Sequence, residues 1–191
     1  MAEVFVFLTD GTEECEALLM VDLLRRAEIS VATVAVGAEQ WQSEDHRTIV
    51  SLHNVPIVCD MEIGEMHDGT GKVFFIPGGT RGVENFKANA VLTEILRNHQ
   101  EQGLDFVSVC AGPTVLAKAG ILEGKKSTVY PGMEKELAGA IPVDESVVTD
   151  EHVLTGRALG ASIKLGRALI EKLRGKATAD RVMQQICYEE D

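Results

Sequence analysis

Apolar residues in this chain gather in short, mostly apolar runs, separated by stretches whose apolar positions recur at helical spacing. Val4-Phe5-Val6-Phe7-Leu8, Ile29 to Val36, Val73-Phe74-Phe75-Ile76 and Phe106 to Val109 are four such runs. A short run without alternation predicts a strand covered on both faces. After the first run, Thr12 to Arg26 predicts a helix. Thr12 is the expected N-cap, Glu13 and Glu14 suit the dipole of the first turn, and Arg25 and Arg26 close the last. Thr48 to Cys59 holds two short apolar segments broken at His53-Asn54 and predicts a hairpin. Gly37 to Arg47 and Asp60 to Lys72 are polar and read as loops, the second around a short helix. Ala90 to Glu101 predicts a helix with Leu92, Ile95, Leu96 and His99 on one face and Gly103 as its stop. Ser127 to Tyr130 reads as a short strand and Met133 to Leu137 as a helical turn. Ser146 to Thr149 and His152 to Thr155 read as a hairpin. A last long helix carries Ile163, Ile170 and Leu173 and ends before Gly175, with a shorter one over Ala179 to Gln185. Strands alternating with helices throughout predict one α/β domain over 1–191 with a mainly parallel sheet.

In such folds ligands bind beyond the carboxyl ends of the strands, and three features fall at that edge. The first is Cys110. Its strand ends abruptly in Cys110-Ala111-Gly112-Pro113-Thr114, where Pro113 suits the first turn of a helix and Gly120 can end it. The order Ser108-Val109-Cys110-Ala111-Gly112 resembles a nucleophile elbow with Cys in place of Ser. Helix-start N–H groups close to the sulfur lower a thiol's pKa. The alternative is a strand-end cysteine packed as a small hydrophobe. The second feature is Glu16, at the N-terminal end of the stripe formed by Leu19, Met20, Leu23 and Leu24. Its carboxyl group either points at the sheet, with a raised pKa, or curls out to solvent. The third is Pro77-Gly78-Gly79, where paired glycines bring backbone N–H groups close to a ligand or simply make a tight turn. The segment is neither a P-loop nor a dinucleotide fingerprint, so a nucleotide or flavin carrier is not expected.

Composition narrows the field. The 191 residues carry a formal net charge of -12, which argues against nucleic acid and against an anionic membrane surface as partners. No stretch approaches the length of a membrane span, and the first apolar run lacks the basic start of a signal peptide. A cytoplasmic protein is expected. The four cysteines have no C-x-x-C spacing and are expected to be free thiols. The five histidines form no paired ligand spacing, so no metal site is expected.

Gly11-Thr12-Glu13-Glu14-Cys15-Glu16-Ala17, Val21 to Ala27, Ile76-Pro77-Gly78-Gly79 and Val109-Cys110-Ala111-Gly112-Pro113-Thr114 run in the order found in the DJ-1/ThiJ/PfpI superfamily. Tyr130-Pro131-Gly132 and Leu154-Thr155-Gly156-Arg157 echo it more faintly. The chain resembles the DJ-1 branch. That resemblance implies a flavodoxin-like fold and a homodimer. It implies that Cys110 is the reactive cysteine, that Glu16 is the carboxyl group beside it, and that Gly78, Gly79 and Ala111 supply backbone N–H groups over the pocket. It places Tyr130, Arg26, His53 and Arg157 near the site, with His53 reaching in from a partner subunit. It implies cofactor-independent action on a small reactive aldehyde or a glycated protein, or alternatively redox sensing through Cys110 oxidation to a sulfinate. The chain departs from the PfpI proteases in having Ala111 where they carry His. It departs from DJ-1-type relatives in having Tyr130 where they carry His.

Overall fold

The computed structural model describes residues 2–37, 46–66 and 71–189. In chain order the elements are β1 (Val4–Leu8), α1 (Glu14–Arg26), β2 (Val31–Ala35), β3 (Thr48–Val50), β4 (Pro56–Val58), β5 (Met61–Glu62), β6 (Val73–Ile76), α2 (Thr80–Ala88) and α3 (Ala90–Glu101). The second half comprises β7 (Asp105–Val109), α4 (Pro113–Lys118), β8 (Lys126–Ser127), β9 (Ile141–Pro142), β10 (Val147–Asp150), β11 (Val153–Gly156), α5 (Ser162–Arg174) and α6 (Lys176–Gln185). Parts of the two polar loops expected from the sequence, 38–45 and 67–70, lie outside the described residues.

Seven strands form one sheet in the order β10-β11-β7-β6-β1-β2-β5. Neighbours are parallel except at the β10–β11 hairpin, which closes one edge. The topology is that of a flavodoxin-like fold, and its central strand reads as the sequence pattern requires. Val4, Val6 and Leu8 of β1 point to one face and pack with α1, α5 and α6. Phe5 and Phe7 point to the other face, into the core that holds Phe86 of α2, Leu92 and Leu96 of α3 and Leu116 of α4. Both faces being apolar, the run has no alternation to show. Among the described residues no helix is long and apolar enough to cross a membrane.

Two departures from the expected elements bear on the site. Helix α2 was not foreseen: Thr80–Ala88 follows two glycines and buries only Gly82, Val83 and Phe86. Helix α1 starts one residue later than expected. Glu13, not Thr12, is its N-cap, and the Glu13 side chain accepts the Glu16 N–H at 2.7 Å. The Thr12 hydroxyl is already occupied, accepting the Thr9 N–H at 2.9 Å within the turn that leaves β1. The antiparallel β3–β4 hairpin covers this turn, taking the Gly11 N–H on Val50 O and giving the Leu52 N–H to Thr12 O.

Candidate active site

The chain passes to β2 on one side of β1 and to β6 on the other, so the crossovers diverge at the carboxyl ends of β1 and β6. A crevice opens at such a point. Three segments meet there: the start of α1 after β1, the Pro77-Gly78-Gly79 turn after β6, and the Cys110 turn after β7.

Cys110 occupies a sharp strand-to-helix corner. Its φ is +60°, a left-handed conformation that side-chain-bearing residues seldom adopt. The corner is held from all sides. The Cys110 N–H donates to Gly156 O, the Tyr130 N–H donates to Cys110 O, and the Gly112 N–H donates to Val109 O, each at 2.9 Å. Cys110 is half-buried.

Glu16 is buried, with 1% of its surface exposed, so its carboxyl group does not curl out to solvent. Its position follows from helical spacing: Met20, Leu23 and Leu24 bury the same stripe. Oε2 accepts the Gly78 N–H at 2.8 Å. Oε1 is buried and meets no protein donor in good hydrogen-bond geometry. The thiol of Cys110 stands close enough to this carboxyl for a hydrogen bond between them to shift both groups. Gly78 is required between them. A Cβ there would sit 2.7 Å from Glu16 Oε2 and 2.8 Å from Cys110 Cβ. Gly79 has φ +98°, and a Cβ on it would lie 2.6 Å from the Glu13 nitrogen.

Burial pushes the Glu16 acid up to about 7, against the downward pull of the Gly78 N–H and Cys110; the Glu13 charge adds a further upward push. Burial also pushes the Cys110 thiol up, to about 12, and the Glu16 charge adds to it. This corrects the expectation of a thiol lowered by helix-start N–H groups. Helix α4 is six residues long, and only the Ala111 N–H acts on the sulfur in that direction. The opposition from Glu16 belongs to its ionised form. A protonated Glu16 carries no charge to oppose a thiolate and has an O–H to offer it.

A family model described as DJ-1/PfpI family matches residues 2–172. The chain belongs to the DJ-1/PfpI family. Protein DJ-1 homolog B of Arabidopsis thaliana is 29% identical over 175 residues, covering 91% of this chain and 38% of that protein. The chain thus spans about two-fifths of that relative's length. A Caenorhabditis elegans protein named glutathione-independent glyoxalase is 24% identical over 179 residues, covering 93% of this chain and 91% of that protein. The crystallised DJ-1 of Toxoplasma gondii in its oxidised form superposes with a TM-score of 0.90 at 27% identity over the whole of both chains.

The outer positions carried over from the DJ-1/PfpI resemblance are more scattered than the sequence suggested. Tyr130 stays near the corner through its N–H on Cys110 O, but its residue is 49% exposed. Arg157 follows Gly156, pairs with Asp144 at 3.0 Å and lines a pocket of about 160 Å³ with Ser127, Thr128 and Glu134. Arg26 does not join the site within this chain. It stands in the last turn of α1, roughly 15 Å along the helix from Glu16, and pairs with Asp22 at 2.7 Å. His53 meets α1 of its own chain, its Nδ1 lying 2.9 Å from Glu14 Oε1 and 3.9 Å from Glu13 Oε1. These three residues bring possible metal ligands within 4.8 Å of one another, a grouping that histidine spacing could not show. Within the group, the His53 ring is already hydrogen-bonded to Glu14. Gly78, expected to offer its N–H to a ligand, spends it on Glu16 instead.

Proposed function

We propose that the chain acts on small reactive aldehydes, in the manner of a cofactor-independent glyoxalase or deglycase, with Cys110 as nucleophile and Glu16 as general acid/base. The observation that carries this reading is the buried, high-pKa Glu16 carboxyl set against the thiol at a strained corner. Ionised Glu16 takes the thiol proton as the sulfur adds to the aldehyde carbon of a substrate such as methylglyoxal. A C–S bond forms, the carbonyl π bond breaks, and Glu16 delivers a proton to the oxygen to give a hemithioacetal. The Ala111 and Gly79 N–H groups are the candidates to face the developing oxyanion. Glu16, then ionised, can take the proton from the former aldehyde carbon as the neighbouring carbonyl oxygen gains one, and return it to the neighbouring carbon as the first hydroxyl gives its proton up, leaving a lactoyl thioester on Cys110. Water releases lactate and restores the thiol, so no outside oxidant or reductant is needed. The nematode relative's name fits this class.

Cys110→Ser and Glu16→Gln should each lower methylglyoxal turnover on the order of 100-fold or more. Lactate formation measures this, and a parental rate in either variant would remove the scheme.

A second reading has support of its own. Glu16 Oε1 has no well-aligned protein donor, so a protonated oxygen there is positioned to donate to oxygens added to the sulfur. The Toxoplasma relative was crystallised oxidised. Mild peroxide should then add two oxygens to Cys110 before Cys15 or Cys187, as peptide mass analysis would show. The working form is read as a homodimer; sedimentation at micromolar concentration should give twice the chain mass.

A further inference from the structure

The start of α1 and the end of β6 are joined by a closed ring of hydrogen bonds. The Glu13 N–H donates to Gly78 O at 3.1 Å, and the Gly78 N–H donates to Glu16 Oε2 at 2.8 Å. The Glu16 N–H donates to Glu13 Oε2 at 2.7 Å, closing the circuit. Glu13 supplies two of the ring's groups, one from the main chain and one from the side chain. Glu is not among the preferred N-cap residues. Here Thr12 cannot serve because its hydroxyl holds Thr9, and a side chain of glutamate length reaches back to the helix from Glu13.

From this ring we infer that Glu13 is a positioning residue: it holds Glu16 in the place where its carboxyl meets both Gly78 and the Cys110 thiol. The inference rests on the pairing of Cys110 with Glu16 proposed above. Each link restrains a different part of Glu16. The cap fixes its backbone, and Gly78 fixes its carboxyl while being fixed in turn by the Glu13 amide. Glu13 is also nine-tenths buried, and its charge raises both Glu16 and Cys110. The other titratable groups facing it are Glu14 and Cys15 on α1 and His53 from the β3–β4 hairpin. The β6 turn presents only the backbone of Gly78 and Gly79.

The test is the pH profile of Cys110 alkylation by iodoacetamide in the full chain, with the exposed thiols removed by Cys15→Ser and Cys187→Ser. The parent should show an inflection from Glu16 near neutral pH, absent in Glu16→Gln. Glu13→Gln keeps an acceptor for the Glu16 N–H but no charge, so the inflection should move to lower pH. Glu13→Ala removes the acceptor as well. It should lower the rate at pH 7 by about threefold or more, the range that one lost hydrogen bond gives, and blur or abolish the inflection. Should Glu13→Ala fail to fold, Glu13→Met, of similar length but without an oxygen to accept the Glu16 N–H, takes its place. A profile altered by Glu16→Gln but untouched by either Glu13 variant would overturn the positioning role. A profile indifferent to Glu16→Gln would overturn the pairing itself, and the role of Glu13 with it.

Discussion

The buried Glu16 carboxyl carries a cost for the fold. Its folded pKa of about 7 lies above the ordinary carboxyl value of 4.5. Between those pH values the folded chain keeps a proton that the unfolded chain releases. The associated stability is complete below about pH 4.5 and is lost as pH rises through 7, amounting to roughly 3 kcal/mol once the buried acid is fully ionised. Glu16→Gln, which cannot ionise, should therefore melt higher than the parent at pH 8 and gain little at pH 5. Thermal melts at the two pH values check this. A variant less stable than the parent at pH 8 would mean that Glu16 is not the buried acid described. Such a gain in stability with a loss of turnover is the behaviour expected where burial is tolerated for chemistry.

The elements around the site divide into those the sequence announced and those it could not. The long apolar runs, helix α1 and the β10–β11 hairpin were legible because each is long enough for its periodicity or its turn to show. Cys110, Glu16 and Gly78-Gly79 could be placed at one sheet edge because each directly follows a strand or opens the next helix. Strands β5 and β9 have two residues each, too few to show any period, and the strand expected over Ser127 to Tyr130 is confined to β8, Lys126–Ser127. Helix α2 was hidden by Gly82 and by the glycine pair before it. The Glu13 cap was hidden because propensity favours Thr12, and only the three-dimensional turn shows that hydroxyl to be occupied. The raised thiol was hidden as well, since burial is a property of the packed molecule. The β6–α2 turn is where a small change should do most damage. Gly79→Ala would place a Cβ against the Glu13 nitrogen and the Gly11 carbonyl at a positive φ, costing on the order of 2–4 kcal/mol. Urea unfolding would measure the loss, and near-parental stability would show that the turn can open without strain.

At the scale of the whole molecule, the acid side of the stability curve is set far from the site. His99 is buried, stacked on Phe74 with ring centroids 3.6 Å apart, and bonded through Nε2 to Asp105 O at 3.0 Å. Burial lowers its pKa from 6.5 to about 4. Protons bind the unfolded chain more readily in that range, so this contribution is present above pH 6.5 and is lost as pH falls through 4. Glu3 adds to the same trend, held down to about 2 by Arg174 and Lys72. Between about pH 4.5 and 6.5 the His99 gain and the Glu16 loss offset each other, so these groups leave a broad maximum there, falling above it through Glu16 and below it through His99 and Glu3. His99→Gln should lower stability at pH 7 by losing the stack, yet make up part of that deficit relative to the parent as pH falls from 6.5 to 4.5 in urea titrations. A difference between variant and parent that stays constant over this range would show that His99 does not contribute to the pH dependence.

The place of β1 carries a consequence for how the chain is made. Translated before the other strands, it ends in the middle of the sheet, between β2 and β6. Its second neighbour does not leave the ribosome until Val73 to Ile76 have been added, and the Cys110 corner comes later still. Until then one margin of a fully apolar ribbon stands open to any passing polypeptide. Nascent chains halted before Val73 should accordingly clump or recruit chaperones, whereas released chains that also carry α5 and α6 should not.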